Sequence, residues 1–200
     1  MTIQWVGTLT DGRGDRMTQD FTSREADLSD VLETGCGIVH RYWDKKRGNR
    51  FAPAWAEFHL VDLPPDIIPY IRVADVINGG ENFRYRFWGT GLTTVRSLDR
   101  TGKKLSEIDS PRTGTALAEY ARIVQQKCPL ALVYDVRSGD NRLSLHAPCI
   151  RLPLSSDGKT VDKIVCYTDF NTDGIEWRRF FEARSQDGAA AKSFDYGTRR

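Results

Sequence analysis

The 200-residue sequence predicts an α+β domain: a five-stranded antiparallel sheet with helices on one face, plus an N-terminal flanking helix. Three observations point there. Two short strand-like runs meet at Asn78-Gly79-Gly80-Glu81-Asn82, a strong hairpin turn signal. Three further strand-like runs, joined by Ser138-Gly139-Asp140-Asn141 and Ser156-Asp157-Gly158-Lys159, follow near the C-terminal end. Between the two groups lies one amphipathic helical stretch, so a helical crossover must link the hairpin to the later strands.

Taken in order, residues 1–22 carry Gly, Thr, Asp and Arg without periodicity and read as a flexible arm. Residues 23–47 read as a helix, because Leu28, Val31, Leu32, Gly35, Val39, Tyr42 and Trp43 recur at three- and four-residue steps. Asp27 is placed to cap its start, and Lys45, Lys46, Arg47 and Gly48 give a basic, glycine-closed end. Gly35 and Gly37 each weaken that helix by about 1 kcal/mol relative to Ala, so packing of the stripe must hold it. Residues 48–69 form a Pro-rich connector that excludes regular helix or central strand and lays Phe58, Leu60, Leu63 and Ile67 on a neighbouring surface.

The core, residues 70–170, begins with strands at 70–77 and 82–88. Strict alternation sends Phe83, Tyr85 and Phe87 one way and Arg84, Arg86 and Trp88 the other. Short helices and turns fill 89–110. A longer helix then runs to Gln126, with Ser110-Pro111 as cap and first residue and Leu117, Tyr120, Ala121, Ile123 and Val124 as its buried stripe. Strands at 130–137, 142–152 and 161–170 complete the sheet. Residues 171–200 read as a short amphipathic helix and a disordered tail.

Bulk composition narrows the function. Twenty-nine basic and 27 acidic residues leave a net charge of +2, without the field that nucleic-acid binders use. No run approaches the roughly 20 apolar residues of a membrane span, and the polar, Gly-rich N-terminus lacks signal-peptide features, so a cytoplasmic location is expected. Cys36, Cys128, Cys149 and Cys166 show no paired spacing. They read as reduced cysteines rather than a metal site.

Several motifs occur in a specific order: His40-Arg41-Tyr42-Trp43, Leu63-Pro64 through Ile71, Phe83-Arg84-Tyr85-Arg86-Phe87-Trp88-Gly89-Thr90, Asp99-Arg100-Thr101-Gly102-Lys103, Pro129, and Leu152-Pro153-Leu154-Ser155-Ser156-Asp157-Gly158. On these the chain resembles a family of stand-alone PAS-like bacterial domains of the alphaproteobacterial type, over residues 28–170. The resemblance implies a sensory module that encloses a cavity or a compact core and signals through flanking helices to a separate protein. It implies no reaction and no particular ligand.

Individual residues admit functional and structural readings side by side. A cavity reading gathers Tyr85, Phe87, Leu92, Val95, Leu105, Tyr120, Val124, Leu132, Tyr134 and Cys166 as ligand-lining residues. Arg86 is the best-placed charge for an acidic ligand, unless Arg84 and Arg86 simply pair across strands with residues such as Asp75 or Asp135. His146 is the candidate haem ligand, and with Asp135 the candidate acid–base pair of a small enzyme. Haem finds no supporting signature, and no nucleophile elbow is present. Flavin photochemistry is disfavoured, since residues 89–126 contain no cysteine. Gly89-Thr90 and Asp99-Arg100-Thr101-Gly102 read as structural turns and caps. Leu32, Val39, Tyr42, Trp43, Trp177 and Phe181 offer a homodimer interface, or else cover the open sheet face. The sequence therefore leaves a ligand-binding sensor, a ligand-free interaction scaffold and a small cavity enzyme as the alternatives.

Overall fold

The computed structural model describes residues 2–10, 16–96, 98–110, 112–138 and 144–170; among these, side chains are described from residue 22 onward, except at 96, 136–138, 144 and 145. The elements are β1 (Thr2–Thr10), β2 (Arg16–Glu25), α1 (Leu28–Leu32), α2 (Gly35–Arg47), β3 (Ile71–Ile77), β4 (Asn82–Trp88), α3 (Thr90–Arg96), α4 (Thr113–Gln126), β5 (Leu130–Ser138), β6 (Ser144–Leu154) and β7 (Lys163–Thr168). All pairings are antiparallel, in the order β1-β2-β5-β6-β7-β3-β4. Within it lies the expected unit, β4-β3-β7-β6-β5: a hairpin, a helical crossover and three returning strands, the PAS-like α+β layout.

Two expectations are corrected at the N-terminus. The segment 1–22, read as a flexible arm, supplies β1 and most of β2, which add two strands beyond β5. The alternation of Ile3, Trp5 and Leu9 and the Asp11-Gly12 dipeptide were sequence signals for a hairpin, and reading the segment by its Gly, Thr, Asp and Arg content passed over them. The helix expected over 23–47 begins with strand residues and then breaks into α1 and α2. Thr34 makes the break. Its hydroxyl donates to the Val31 carbonyl at 2.7 Å and accepts the Cys36 N–H at 3.2 Å, capping α2. Asp27 makes no side-chain cap hydrogen bond.

The helices lie on both faces of the sheet, not on one. The first face packs α4 and the β4–α4 segment over Phe83, Tyr85, Trp88, Leu132, Tyr134, Ala147, Cys149 and Cys166. The second is covered by α1, α2 and the connector, which bury Val31, Val39, Trp43, Phe58, Leu63 and Ile67 against Ile71, Val73, Ile150, Leu152 and Tyr167. Trp43 locks this layer by donating its indole N–H to the Pro153 carbonyl at 2.7 Å. Asp169, just past β7, accepts the Gly35 N–H at 2.8 Å and ties the start of α2 to the sheet.

The β3–β4 turn needs three consecutive residues at positive φ, Asn78 (48°), Gly79 (66°) and Gly80 (108°), which explains the Asn-Gly-Gly sequence. A bulge then breaks the alternation of β4. Val73 pairs with Phe87 and Ala74 with Tyr85, so Arg86 is the extra residue. Beyond it the faces exchange: Trp88 joins Phe83 and Tyr85, and Phe87 packs into the opposite core. Strict alternation had placed both the other way.

Candidate functional site

The first face holds a cavity of about 60 Å³ between the sheet and the start of α4. Arg72 and Arg151 come from β3 and β6, which flank β7, Arg100 from the loop after α3, and Arg112 from the residue preceding α4; all four line it. Its other walls include Tyr85, Trp88, Tyr120 and Tyr134 with Leu105, Ile108 and Ala116. On the scale of about 10–15 Å³ per enclosed water, this is room for about four waters or a ligand of few heavy atoms.

Local structure explains how each guanidinium arrives. Arg72 and Arg151 occupy inward positions of central strands covered by helices on both sides, and they are only 5% and 1% exposed. Arg72 donates to the Tyr120 hydroxyl at 3.3 Å and the Thr168 hydroxyl at 3.0 Å, and its third nitrogen lies 3.8 Å from the Cys149 sulfur. Arg151 donates to the Glu119 carboxylate of α4 and, at 2.9 Å, to the Tyr134 hydroxyl, with its guanidinium 4.5 Å from the Tyr120 ring centre.

Arg100 is set by the Asp99-Arg100-Thr101-Gly102 turn. Asp99 accepts the Thr101 N–H at 2.8 Å, and Gly102, at φ 80°, donates its N–H to the Tyr85 carbonyl at 2.7 Å. Tyr85 in turn donates its N–H to the Lys103 carbonyl at 3.0 Å. This clamps the loop to β4 and lays Arg100 5.5 Å from the Trp88 ring centre. Arg112 sits 4.5 Å from the Tyr134 ring centre.

Electrostatics in the cavity is lopsided. Among the described residues, Glu119 is the carboxylate that reaches a cavity strand arginine, and no carboxylate lies in ion-pair reach of Arg72 or Arg100. Several buried donors make no hydrogen bond among the described residues: Trp88 Nε1, Arg100 Nε, and Arg151 Nε and Nη1. Burial is the main influence lowering the Arg100 pKa; Tyr85 opposes it, while Arg72 and Arg112 add repulsion. Burial drives the Cys149 thiol upward, but the Arg72 and Arg151 guanidinium groups outweigh it and bring it below the ordinary thiol value. Burial also raises the Tyr120 and Tyr134 phenols, which therefore remain protonated donors at neutral pH.

The expected ligand-lining residues divide into groups. Tyr85, Leu105, Tyr120 and Tyr134 line the cavity. Leu92, Val95, Leu132 and Cys166 belong to the same core but sit behind the lining, Cys166 donating to the Tyr120 hydroxyl at 3.2 Å. Val124 packs at the outer edge, beside Gly80. Phe87 is on the opposite face because of the bulge. Arg86, the expected charge for an acidic ligand, is bound outside the cavity to Asp75 at 2.7 Å. His146 pairs with Asp135, but it is 57% exposed and lies outside the cavity lining, because its strand neighbour Ala147 takes the inward position. No histidine lines the cavity, so the residues there do not fit a histidine-ligated haem.

The expected interface residues Val39 and Trp43 are instead buried against the sheet, and Leu32 and Tyr42 are half-buried. Tyr42 packs edge-on against Phe58, with ring centres 4.9 Å apart, and donates to Asp62 at 2.8 Å. These helices cover the sheet face, the alternative weighed for them. Trp177 and Phe181 lie outside the described residues.

The sequence reading missed Arg72, Trp88, Arg100, Arg112 and Arg151. A signal was present for two of them. Ile71-Arg72-Val73-Ala74 and Cys149-Ile150-Arg151-Leu152 each set one arginine in an apolar strand run, and a strand covered on both faces must bury it.

No helix among the described residues is long and apolar enough to cross a membrane, and no group of three or more His, Cys, Asp or Glu is arranged to hold a metal ion. Compared with known proteins, no family model and no curated protein matches the chain. Among solved structures, an RNA-binding light-oxygen-voltage receptor matches over 96% of this chain and 82% of its own, at 10% identity and a TM-score of 0.36. At that level the likeness carries no argument about function, and the PAS-like α+β fold is read from strand order, crossover and helix placement.

Proposed function

We propose that this chain is a PAS-type sensory module that takes a small polar ligand between its sheet and α4. One observation carries the reading. A cavity between the sheet and α4 is lined by buried nitrogen donors that have no protein partner among the described residues. Leaving buried donors unpaired costs about 1–3 kcal/mol each, more for charged groups, and a bound molecule with acceptor oxygens removes that cost. The ligand-free scaffold reading requires a filled core and offers no use for those donors. The enzyme reading rests on His146 with Asp135, which face away from the cavity.

Occupancy has a route outward. Glu119 joins Arg151 at the cavity to Ser23 of β2, whose hydroxyl donates to it at 3.1 Å. Three residues along α4, Arg122 grips Glu25 of β2 through two hydrogen bonds of 2.6 Å. A ligand that shifts α4 therefore moves β2, and with it the surface a separate signalling protein or a second copy reads.

Native mass spectrometry of the full chain, under gentle and then denaturing conditions, tests this. Extra mass lost on denaturation is the expected result. A bare chain whose melting temperature no member of a broad metabolite panel raises would overturn the reading in favour of the scaffold.

A further inference from the structure

We propose that the cavity ligand is a small organic dicarboxylate, recognised by Arg72 and Arg100 with Arg151 and Trp88 completing the cradle; this rests on the ligand-binding reading above. Four guanidinium groups line one cavity of about 60 Å³. Arg151 has Glu119, and Arg112 stacks at Tyr134. Arg72 and Arg100 have no carboxylate in ion-pair reach among the described residues, although Arg72 is 5% exposed and the Arg100 Nε is fully covered. Two guanidinium charges thus face the cavity without an acidic partner. Burying an uncompensated ion costs several kcal/mol, and two of them in one cavity add mutual repulsion. A doubly charged anion removes both penalties at once.

Three features separate a carboxylate from other anions. Planar guanidinium groups match the planar, two-oxygen geometry of a carboxylate through paired N–H donors. Arg72 comes from β3 and Arg100 from the loop hydrogen-bonded to β4, so two guanidinium groups from separate elements line one cavity and suit a molecule with two acid groups. The same cavity is lined by Leu105, Ile108, Ala116, Tyr85 and Trp88, an apolar stretch that fits a short carbon stem. A phosphate, polar on every side, would leave that stretch against its oxygens. The first turn of α4 borders the same space at Thr113 and Ala116, adding the positive end of the helix dipole.

The probes are malonate, its uncharged isostere malonamide, and inorganic phosphate, each titrated into the full chain by calorimetry and thermal unfolding. Malonate is expected to bind and, at a hundredfold excess over its Kd, to raise Tm by roughly 5–10 °C. Malonamide and phosphate are expected to do neither. Arg100→Gln, at a half-buried loop position, should keep the fold by circular dichroism and weaken malonate roughly 10- to 100-fold, through loss of a charge-assisted hydrogen bond. Arg86→Gln, on the salt bridge to Asp75 outside the cavity, should leave malonate affinity unchanged. Equal binding of malonamide, binding of phosphate in place of malonate, or unaltered malonate affinity in Arg100→Gln would each overturn the dicarboxylate assignment. A neutral molecule released in the mass-spectrometry experiment would also overturn it, while leaving the cavity reading intact. Failure of every small molecule would remove both.

Discussion

Replacing Glu119 by Gln removes one negative charge at the cavity wall and almost nothing else. The amide keeps the size of the side chain and retains an oxygen to accept from Ser23, whose hydroxyl now donates at 3.1 Å. Arg151 loses its carboxylate. With the Arg151 side chain 2% exposed and that of Glu119 11% exposed, water can do little to replace the missing charge. Breaking a buried pair by removing one partner costs about 3–5 kcal/mol. Because Ser23 and Tyr134 still hold their groups, the lower end of that range applies, about 3 kcal/mol. For a domain of this size, that corresponds to a fall in Tm of roughly 6–12 °C. Thermal unfolding of Glu119→Gln at neutral pH, followed by circular dichroism with and without malonate, reads the effect. Malonate should recover more stability in the variant than it adds to the wild type, because it then supplies Arg151 with its missing charge as well. A fall below about 2 °C would show that the pair is not desolvated as the geometry implies. Equal malonate gains in both proteins would refute the idea that Glu119 and the ligand share one arginine cluster.

Two further outcomes follow from geometry described above. Cys149, whose sulfur lies 3.8 Å from a nitrogen of Arg72, should titrate below the range of an ordinary thiol, and malonate should move it back up, because an added negative charge disfavours the thiolate. The difference in ultraviolet thiolate absorbance between wild type and Cys149→Ser across pH measures this, and a titration at or above about pH 8.5 would contradict it. Gly89 leaves no room for a side chain, since a Cβ there would lie 2.2 Å from the Pro69 carbonyl oxygen. Gly89→Ala should therefore cost at least about 2 kcal/mol in denaturant unfolding, and a neutral substitution would show that the connector is not seated on the end of β4.

The fold was readable where local chemistry speaks for itself. Asn78-Gly79-Gly80 announces the only backbone path that three positive φ angles allow, and the stripe of Tyr120 and Ile123 announces the buried face of α4. It was unreadable where a long-range partner decides. The alternation of Ile3, Trp5 and Leu9 hints at a strand in residues 2–25, but whether that segment joins the sheet depends on β5, more than 100 positions away. The cavity divides along the same line. Its aromatic walls follow from strand alternation at Tyr85 and Tyr134 and from the helical stripe at Tyr120, so all three were within reach of the sequence. Its charges follow from which strands are covered on both sides and from a turn hydrogen-bonded to β4, and both are tertiary facts. Arg86 looked exposed to ligand because the pattern was carried through the very residue that interrupts it.

That interruption has a consequence for how the two sides of the sheet communicate. In a regular strand, side chains serving one compartment are two residues apart, and the strand's hydrogen-bonded ladder isolates the two compartments. Beyond the bulge, the neighbours Phe87 and Trp88 sit in different cores, one beneath the layer of α1 and α2, the other at the cavity. A single peptide plane joins them. Through that one plane, a shift of the indole on the cavity side would be felt by the phenyl ring beneath α1 and α2 with no intervening element.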